Sequence, residues 1–289
     1  MGTRFLGLCG TILLNRELSG GKGGAIIRLI PPTAVAVGRR VACGWPVIFF
    51  GDFMICNVYV DGFNFYYGCF KDRNDKSYAA LQSLKWVDIR KLSETLRPGD
   101  AIKRIHYCTA RVDPTPRDPD QPVRQEMYLN ALKTTQGLKL HFGTFKSRPK
   151  WGMVIGPPTI VKQIGPNPQL AQIMTSEEKG SDVNIATHLL HDAFTGDCEA
   201  ALVITNDSDL VEAIRTARVS AGIEVHLVSP GKSVTSTLRK AATSAMTLDS
   251  AVTDQSGKYL TKSQLLSVCQ FPSPIVLPDG RALRKPRSW

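Results

Sequence analysis

The sequence predicts an α/β protein with a doubly wound, mainly parallel sheet flanked by helices. From Met54 onward, short apolar runs rich in β-branched residues alternate with segments of helical periodicity. Strands that are separated by helices need crossover connections, and such connections favour parallel pairing. The chain has 289 residues, of which 43% are hydrophobic and 21% charged, so it can bury a sizeable core.

The elements of this sheet can be followed along the chain. Residues 55–60 form a short apolar run, and residues 86–96 have helical periodicity that stops before Arg97-Pro98-Gly99. The pattern then predicts a strand at 102–110, a helix at 123–135 and a strand at 138–145. Five prolines between 147 and 176 predict a long irregular insertion there.

The second half of the domain repeats the alternation. The sequence predicts helices at 181–194, 209–221 and 234–242, and strands at 199–205 and 223–228. We expect one domain over residues 54–250, with residues 251–289 as a basic tail that packs on the domain or trails it.

Residues 1–53 differ in composition from the rest. They are rich in glycine and basic residues and carry +4 of the net charge of +11. Met54 lies where the regular pattern begins and is a candidate start site. We therefore expect residues 1–53 to be an extension that is flexible or outside the core.

The net charge indicates the class of partner, and the cysteine content indicates the redox compartment. A net charge of +11 favours a polyanionic partner, because neutralising phosphates releases counterions, although many proteins are basic for solubility alone. Seven scattered cysteines without a Cys-x-x-Cys pair indicate free thiols in a reducing cytoplasm. No apolar run reaches membrane-spanning length, so no membrane partner is expected. The oligomeric state stays open between monomer and homodimer.

Acidic residues follow two of the predicted strands. Asp61 ends the first strand, and Asp207 and Asp209 follow the strand at 199–205. Ligands bind such sheets at the carboxyl ends of strands. Asp182 lies in the first turn of its helix, on the same face as Ala186 and Leu189, and should therefore point toward the sheet.

Clustered carboxylates repel one another unless a cation compensates, and an oxygen-only ligand set favours Mg²⁺ or Mn²⁺. Each acid also has a simpler explanation. Asp207 or Asn206 is suited to capping the next helix, Asp182 to a helix N-terminus, and Asp61-Gly62 to a plain turn. Three such coincidences at one sheet edge favour the metal site. His188 and His191, three residues apart, form a weaker candidate pair that also fits a solvated face.

Three segments carry a resemblance to a known family. Residues 60–68 (VDGFNFYYG), 178–184 (EKGSDVN) and 205–210 (TNDSDL) resemble the NYN domain family of the PIN-like nuclease superfamily, in order and in spacing. The resemblance covers about residues 55–289. It implies a PIN-like fold and a Mg²⁺- or Mn²⁺-dependent ribonuclease.

The resemblance also implies roles for individual residues. The metal ligands would be Asp61, Asp182, Asp207 and Asp209, with Asn64 as a polar companion in catalysis. Beyond what the resemblance implies, we expect Lys179, Arg124 and Ser208 to hold the RNA, single-stranded or structured.

Two other functions remain open from the sequence. A non-catalytic RNA-binding or adaptor module could use the same fold. A phosphatase of the haloacid dehalogenase type needs a second aspartate two residues after its nucleophile, and Phe63 occupies that position after Asp61. The primary expectation is therefore a cytoplasmic, metal-dependent endoribonuclease.

Overall fold

The computed structural model describes residues 39–40, 46–47, 54–116, 118–153 and 170–287. The chain divides into two units, residues 1–53 and 54–289. In the first unit, strands β1 (Arg39–Arg40) and β2 (Pro46–Val47) pair antiparallel. The rest of the expected N-terminal extension lies outside the described residues.

The second unit contains all the remaining elements. Its strands are β3 (Ile55–Asp61), β4 (Ala101–Thr109), β5 (Leu138–Phe142), β6 (Thr144–Met153), β7 (Leu170–Lys179), β8 (Ala200–Ile204), β9 (Glu224–Ser229), β10 (Ser244–Thr247), β11 (Ile275–Val276) and β12 (Ala282–Leu283). Its helices are α1 (Gly62–Phe70), α2 (Tyr78–Gln82), α3 (Ile89–Leu96), α4 (Gln121–Leu132), α5 (Ser181–Phe194), α6 (Val211–Val219), α7 (Ser236–Ala241) and α8 (Lys262–Val268). Short 3-10 turns cover Ser208–Leu210 and Leu248–Ser250.

Six strands form one sheet in the order β10-β9-β8-β3-β4-β5, and every neighbouring pair is parallel. Strand β3 lies in the middle of the sheet. The chain adds β4 and β5 on one side of β3, and it then adds β8, β9 and β10 on the other side. The strand order therefore reverses between β3 and β8. This arrangement confirms the predicted doubly wound, parallel α/β fold.

Helices cover both faces of the sheet. On β3, Val58 and Val60 face a core built with α1, α3, α4 and α8, whereas Tyr59 faces a second core built with α5, α6 and α7. Successive strand residues point to opposite faces, so a strand buried on both sides is apolar throughout. Asn57 and Asp61, at the same spacing as Tyr59, are the polar exceptions on the second face.

The predicted irregular insertion at 147–176 is wrong at both of its ends, because residues 147–153 and 170–176 lie in strands. Strands β6 and β7 pair antiparallel over ten residue pairs, from Thr144 with Lys179 to Met153 with Leu170. Residues 154–169, which hold the other four prolines, lie outside the described residues. Pro149 lies within β6, which a two-stranded ribbon tolerates because alternate N–H groups point away from the partner strand.

The segment after residue 250 packs on the domain. Leu265 and Leu266 of α8 are fully buried, and the Phe271 ring lies 6.0 Å from that of Trp86. Lys262 is also buried, and its Nζ donates to the carbonyl of Gly68 and forms an ion pair with Asp75 at 2.9 Å. Among the described residues, no helix has both the length and the apolar character needed to cross a membrane.

Candidate metal centre at the carboxyl edge of the sheet

Asp61 occupies the junction between β3 and α1. Its Oδ1 accepts a hydrogen bond from the Asn64 backbone N–H at 2.9 Å, so the carboxylate caps α1, and only 4% of the residue is exposed. The sequence pattern DG suggested a turn here, but Gly62 starts a helix. A Cβ on Gly62 would lie 2.8 Å from Tyr107 Cε1 and 2.9 Å from the Cys108 carbonyl oxygen. Only glycine lets α1 approach β4 this closely.

Asp207 follows β8, the strand on the other side of the reversal point. It caps the 3-10 turn, because its Oδ1 accepts from the Asp209 N–H at 2.9 Å. The Thr205 hydroxyl donates to Asp61 Oδ2 at 3.1 Å and accepts from the Asp207 N–H at 3.1 Å. Thr205 therefore holds the two acidic strand ends together from a fully buried position.

Asn64 ties the same two loops at a second point. Its Oδ1 accepts from the Asn206 N–H at 2.9 Å. This contact fixes the loop after β8 relative to α1. Asn64, the expected polar companion in catalysis, also lines the cleft.

Asp182 lies in the first turn of α5, and this helix covers the sheet face on which Asp61 lies. Gly180 caps this helix with a φ of 106°, a left-handed conformation that favours glycine. Glu178 Oε1 accepts from the Ser181 N–H at 3.2 Å and from its hydroxyl at 2.9 Å. This contact fixes the first turn of α5 and with it the direction of Asp182.

The three carboxylates converge. One oxygen each from Asp61, Asp182 and Asp207 lies within 4.8 Å of the others. They line an open cleft together with Phe63, Asn64, Tyr67 and Glu178. The cleft is at the point where the strand order reverses, which is where open α/β sheets bind ligands. The capping role and the cluster therefore occur together, although the sequence presented them as alternatives.

The electrostatics of the cleft are unfavourable without a cation. Burial raises the pKa of Asp61 from 3.8 to about 6, and the charges of Asp182 and Asp207 add to the increase. Burial also raises the pKa of Asp182, with repulsion from Asp207, Glu178 and Asp209. A divalent ion would relieve this repulsion. The donor set, all carboxylate oxygens, fits Mg²⁺ or Mn²⁺.

The other predicted residues are distributed around this cleft. Asp209 is exposed in the 3-10 turn and is not among the three converging acids, and Ser208 beside it is also exposed. Lys179 ends β7 and pairs with Glu177 at 3.3 Å. Arg124 does not reach the acidic cleft: it forms an ion pair with Asp118 and lines a neighbouring cavity instead.

That neighbouring cavity is largely aromatic. Its walls include Phe63, Phe65, Tyr66, Tyr67, Phe70, Tyr107 and Tyr128, with the polar groups Lys85, Gln121, Arg124 and Gln125. Phe63 and Tyr67 belong to both cavities, so the acidic cleft opens beside the aromatic one. Phe65 and Phe70 are core, whereas Tyr67 is 56% exposed.

Sequence reasoning assigned no role to Glu178 or Thr205. Glu178 stands in the segment that carried the family resemblance, but its contact with Ser181 depends on how β7 leads into α5. Thr205 is the last residue before the acidic loop and could have been noted as the polar end of a buried strand. The five cysteines within the described residues are free thiols and are buried.

Comparison with known proteins identifies relatives. A family model described as the NYN domain matches residues 56–249. The 6-hydroxy-3-succinoylpyridine 3-monooxygenase HspA of Pseudomonas putida (strain DSM 28022 / S16) is 28% identical, over 80% of this chain and 74% of that protein. A crystal structure of a protein of unknown function from Vibrio parahaemolyticus is similar with a TM-score of 0.44 and 14% identity, over 71% of this chain and 99% of that one.

Proposed function

The chain belongs to the NYN domain family, and from that premise we propose that it is an endoribonuclease that depends on Mg²⁺ or Mn²⁺ and acts in the cytoplasm. The family is nuclease-like in general. The observation that supports hydrolysis in this chain is the convergence of Asp61, Asp182 and Asp207 within 4.8 Å at the reversal point of the sheet. A bound divalent ion supplies an activated water and stabilises charge that develops on a scissile phosphate.

The residues of the cleft have distinct tasks in this proposal. Asp61, Asp182 and Asp207 would hold the ion. Glu178 fixes the first turn of α5, and Thr205 and Asn64 keep the two strand-end loops in register. These contacts matter because a metal site depends on the groups that orient its ligands. Asp209 would add negative charge at the rim or orient the attacking water.

The β6–β7 hairpin supports RNA as the substrate. It begins beside the cleft, where Thr144 pairs with Lys179. Lys146, Arg148 and Lys150 alternate along β6 and therefore share one face of the ribbon. Cations on one face suit a phosphate backbone. Trp151, 67% exposed, lies on the opposite face of the ribbon by the same alternation.

Glu177 lies among these cations. Lys150 and Lys179 pair with it, and Arg148 lies 3.7 Å away. One carboxylate thus lies close to three cations, so this group of side chains carries a net positive charge. We propose that this surface and Ser208 at the cleft rim hold the RNA, and that Arg124 contributes from the aromatic cavity.

The test is cleavage of a labelled single-stranded RNA with Mn²⁺ by the full chain and by Asp207→Asn. Asparagine keeps the cap acceptor, so the variant should fold. We expect cleavage at least about 100-fold slower. Mutating a residue that only orients a metal ligand already lowers metal affinity or activity about 10–100-fold, and Asp207 is itself a proposed ligand. Asp113→Asn, in an exposed loop, is the matched control and should cleave like the parent. Equal rates for Asp207→Asn and the parent would refute the assignment.

A second candidate function follows from the aromatic cavity. The relative from Pseudomonas putida is named for oxygenation of a pyridine, and a planar heterocycle would fit between aromatic walls. Monooxygenation uses O₂ and a two-electron reductant, one oxygen atom entering the product and the other leaving as water. Oxygen consumption that depends on 6-hydroxy-3-succinoylpyridine, with NADH and flavin supplied, would favour this function. RNA cleavage that requires Asp207 without such consumption would exclude it.

The adaptor alternative makes a different prediction. A module that only binds RNA would bind the same single-stranded RNA without cleaving it, and Mn²⁺ would leave its melting temperature unchanged. A ligand that binds only the folded state must stabilise it. Stabilisation by Mn²⁺ that Asp207→Asn removes would therefore count against a purely adaptor role.

A further inference from the structure

A cluster of three histidines lies on the α5 side of the sheet, away from the acidic cleft. His106 is on β4, His141 on the edge strand β5, and His188 on α5. One ring nitrogen from each lies within 4.8 Å of the others. We propose that this cluster is a second metal site, selective for a zinc-class ion such as Zn²⁺ or Co²⁺ rather than for Mg²⁺.

The hydrogen bonds of His106 define how it would bind. Its Nε2 lies 3.0 Å from Asp192 Oδ2, and its Nδ1 lies 2.9 Å from His141 Nε2. A carboxylate acceptor holds the proton on Nε2, which leaves the Nδ1 lone pair directed at the other histidines. Carboxylate–histidine–metal arrangements use this geometry to fix the tautomer of the ligand.

Asp192 is itself held in place. It is 1% exposed, and its Oδ2 accepts from the Tyr59 hydroxyl at 2.9 Å and from Asn57 Nδ2 at 3.0 Å. The His106 orientation is therefore held by one helix residue, Asp192, and by the two strand residues that bind it, Asn57 and Tyr59, all buried. A chance contact between histidine rings would not need a buried hydrogen-bond network that fixes the orientation of one ring.

The distances suit a small ion with nitrogen ligands. Two imidazole nitrogens bound tetrahedrally at about 2.0–2.1 Å from zinc lie about 3.3–3.4 Å apart. The His106 and His141 nitrogens at 2.9 Å would need to separate by a few tenths of an ångström. His188 and His141 have ring centroids 4.0 Å apart, so a small rotation brings the third nitrogen into position.

The protonation state also fits. Burial lowers the pKa of His106 and of His141 to about 4 in each case, and it lowers that of His188 as well. The imidazoles are thus neutral at pH 7, the state in which they bind metal. Neutral imidazoles favour zinc-class ions, whereas the carboxylates of the cleft favour Mg²⁺ or Mn²⁺.

The two sites share helix α5. Asp182 and His188 are six residues apart, which places them about 9 Å apart along the helix axis. An ion at the histidines would bind α5 to β4 and β5 and so hold the helix that presents Asp182. His141 is only partly buried on the edge strand, which provides an entry path for the ion.

The test uses Co²⁺ titration of the full chain in excess Mg²⁺, which occupies the carboxylate cleft. We expect one equivalent of Co²⁺ with the visible absorption of a four-coordinate nitrogen site, displaced by Zn²⁺. His188→Gln should weaken Co²⁺ binding at least about 100-fold, since it removes a direct ligand. Thr187→Gln, on the exposed side of the same helix, is the matched control and should bind normally.

Two further results separate this proposal from its alternatives. Asp207→Asn should leave the Co²⁺ spectrum unchanged, so failure of the nuclease proposal and failure of this one are distinguishable. If His188→Gln fails to fold, judged by its circular dichroism, His141→Gln provides the same measurement on the edge strand. A folded parent that binds no Co²⁺ or Zn²⁺ in excess Mg²⁺ would show that the histidines are only a packed, hydrogen-bonded stack and would overturn the proposal.

Discussion

Replacing Asp61 with asparagine should stabilise the metal-free protein at neutral pH while it abolishes metal binding. Asp61 is 4% exposed, and burial with two neighbouring acids raises its pKa from 3.8 to about 6. The fold therefore binds the proton more tightly than the unfolded chain does. Above pH 6 the ionised carboxylate destabilises the fold, and below pH 3.8 both states are protonated and the penalty disappears.

The size of the effect follows from the pKa. A tenfold difference in proton affinity corresponds to about 1.4 kcal/mol, so a pKa moved from 3.8 to about 6 corresponds to about 3 kcal/mol. Asparagine is nearly isosteric. Its oxygen can accept from the Asn64 N–H, and its amide can donate to the Thr205 hydroxyl oxygen, so both contacts of the carboxylate have counterparts.

The assay is urea unfolding of the parent and of Asp61→Asn in EDTA, from pH 4 to pH 8. We expect Asp61→Asn to be more stable by about 2–3 kcal/mol above pH 6, with the gain fading toward zero as the pH falls to 4. Adding saturating Mn²⁺ should reverse the order, because only the parent gains stability from the ion.

Three results would refute this reasoning. A gain that is constant from pH 4 to pH 8 would show that it does not come from ionisation of Asp61. A loss of stability at every pH would show that the hydrogen bonds to Asn64 and Thr205 outweigh the charge penalty. Equal stabilisation of both proteins by Mn²⁺ would remove Asp61 from the ligand set.

Two other substitutions test the packing that supports the site. Gly62→Ala should lower the free energy of unfolding in urea by about 1–3 kcal/mol, because its Cβ would lie 2.8 Å from Tyr107 Cε1. The control is Gly231→Ala, where the nearest atom to the new Cβ is 3.5 Å away, and it should change the free energy of unfolding by less than about 0.5 kcal/mol. Equal losses in the two variants would contradict the close-approach argument. Lys262→Met should cost about 3–5 kcal/mol because it leaves the Asp75 carboxylate without its buried partner, and a loss below about 1 kcal/mol would show that water replaces the ammonium group.

The strands and the acids at their ends were predictable because their signals are local. A buried parallel strand is an apolar run, and its end is marked by the first polar residue, as at Asp61 and after Ile204. Helix α5 was predicted with its observed bounds, since its periodicity is strong. The position of Asp182 on its inward face followed from that periodicity alone.

Other local signals were ambiguous. Asp61-Gly62 suggested a turn, but the glycine serves a close helix–strand approach. The prolines between 147 and 176 suggested irregular structure, but Pro149 lies in a long hairpin. In both cases the residue type restricts the local backbone conformation, but it does not determine which helix or strand packs against that segment.

The sequence by itself determined the α/β alternation, the acids after two of the strands and the inward side of α5, because these depend on periods of two and 3.6 residues within one element. Only the tertiary structure decided that β3 and β8 are neighbours, and this pairing brings Asp61 and Asp207 to Asp182 while Asp209 stays at the rim. It also separated the predicted pair His188 and His191, and placed His188 with histidines of two strands. Strand order is set by how whole helices and strands pack, and no local period encodes it.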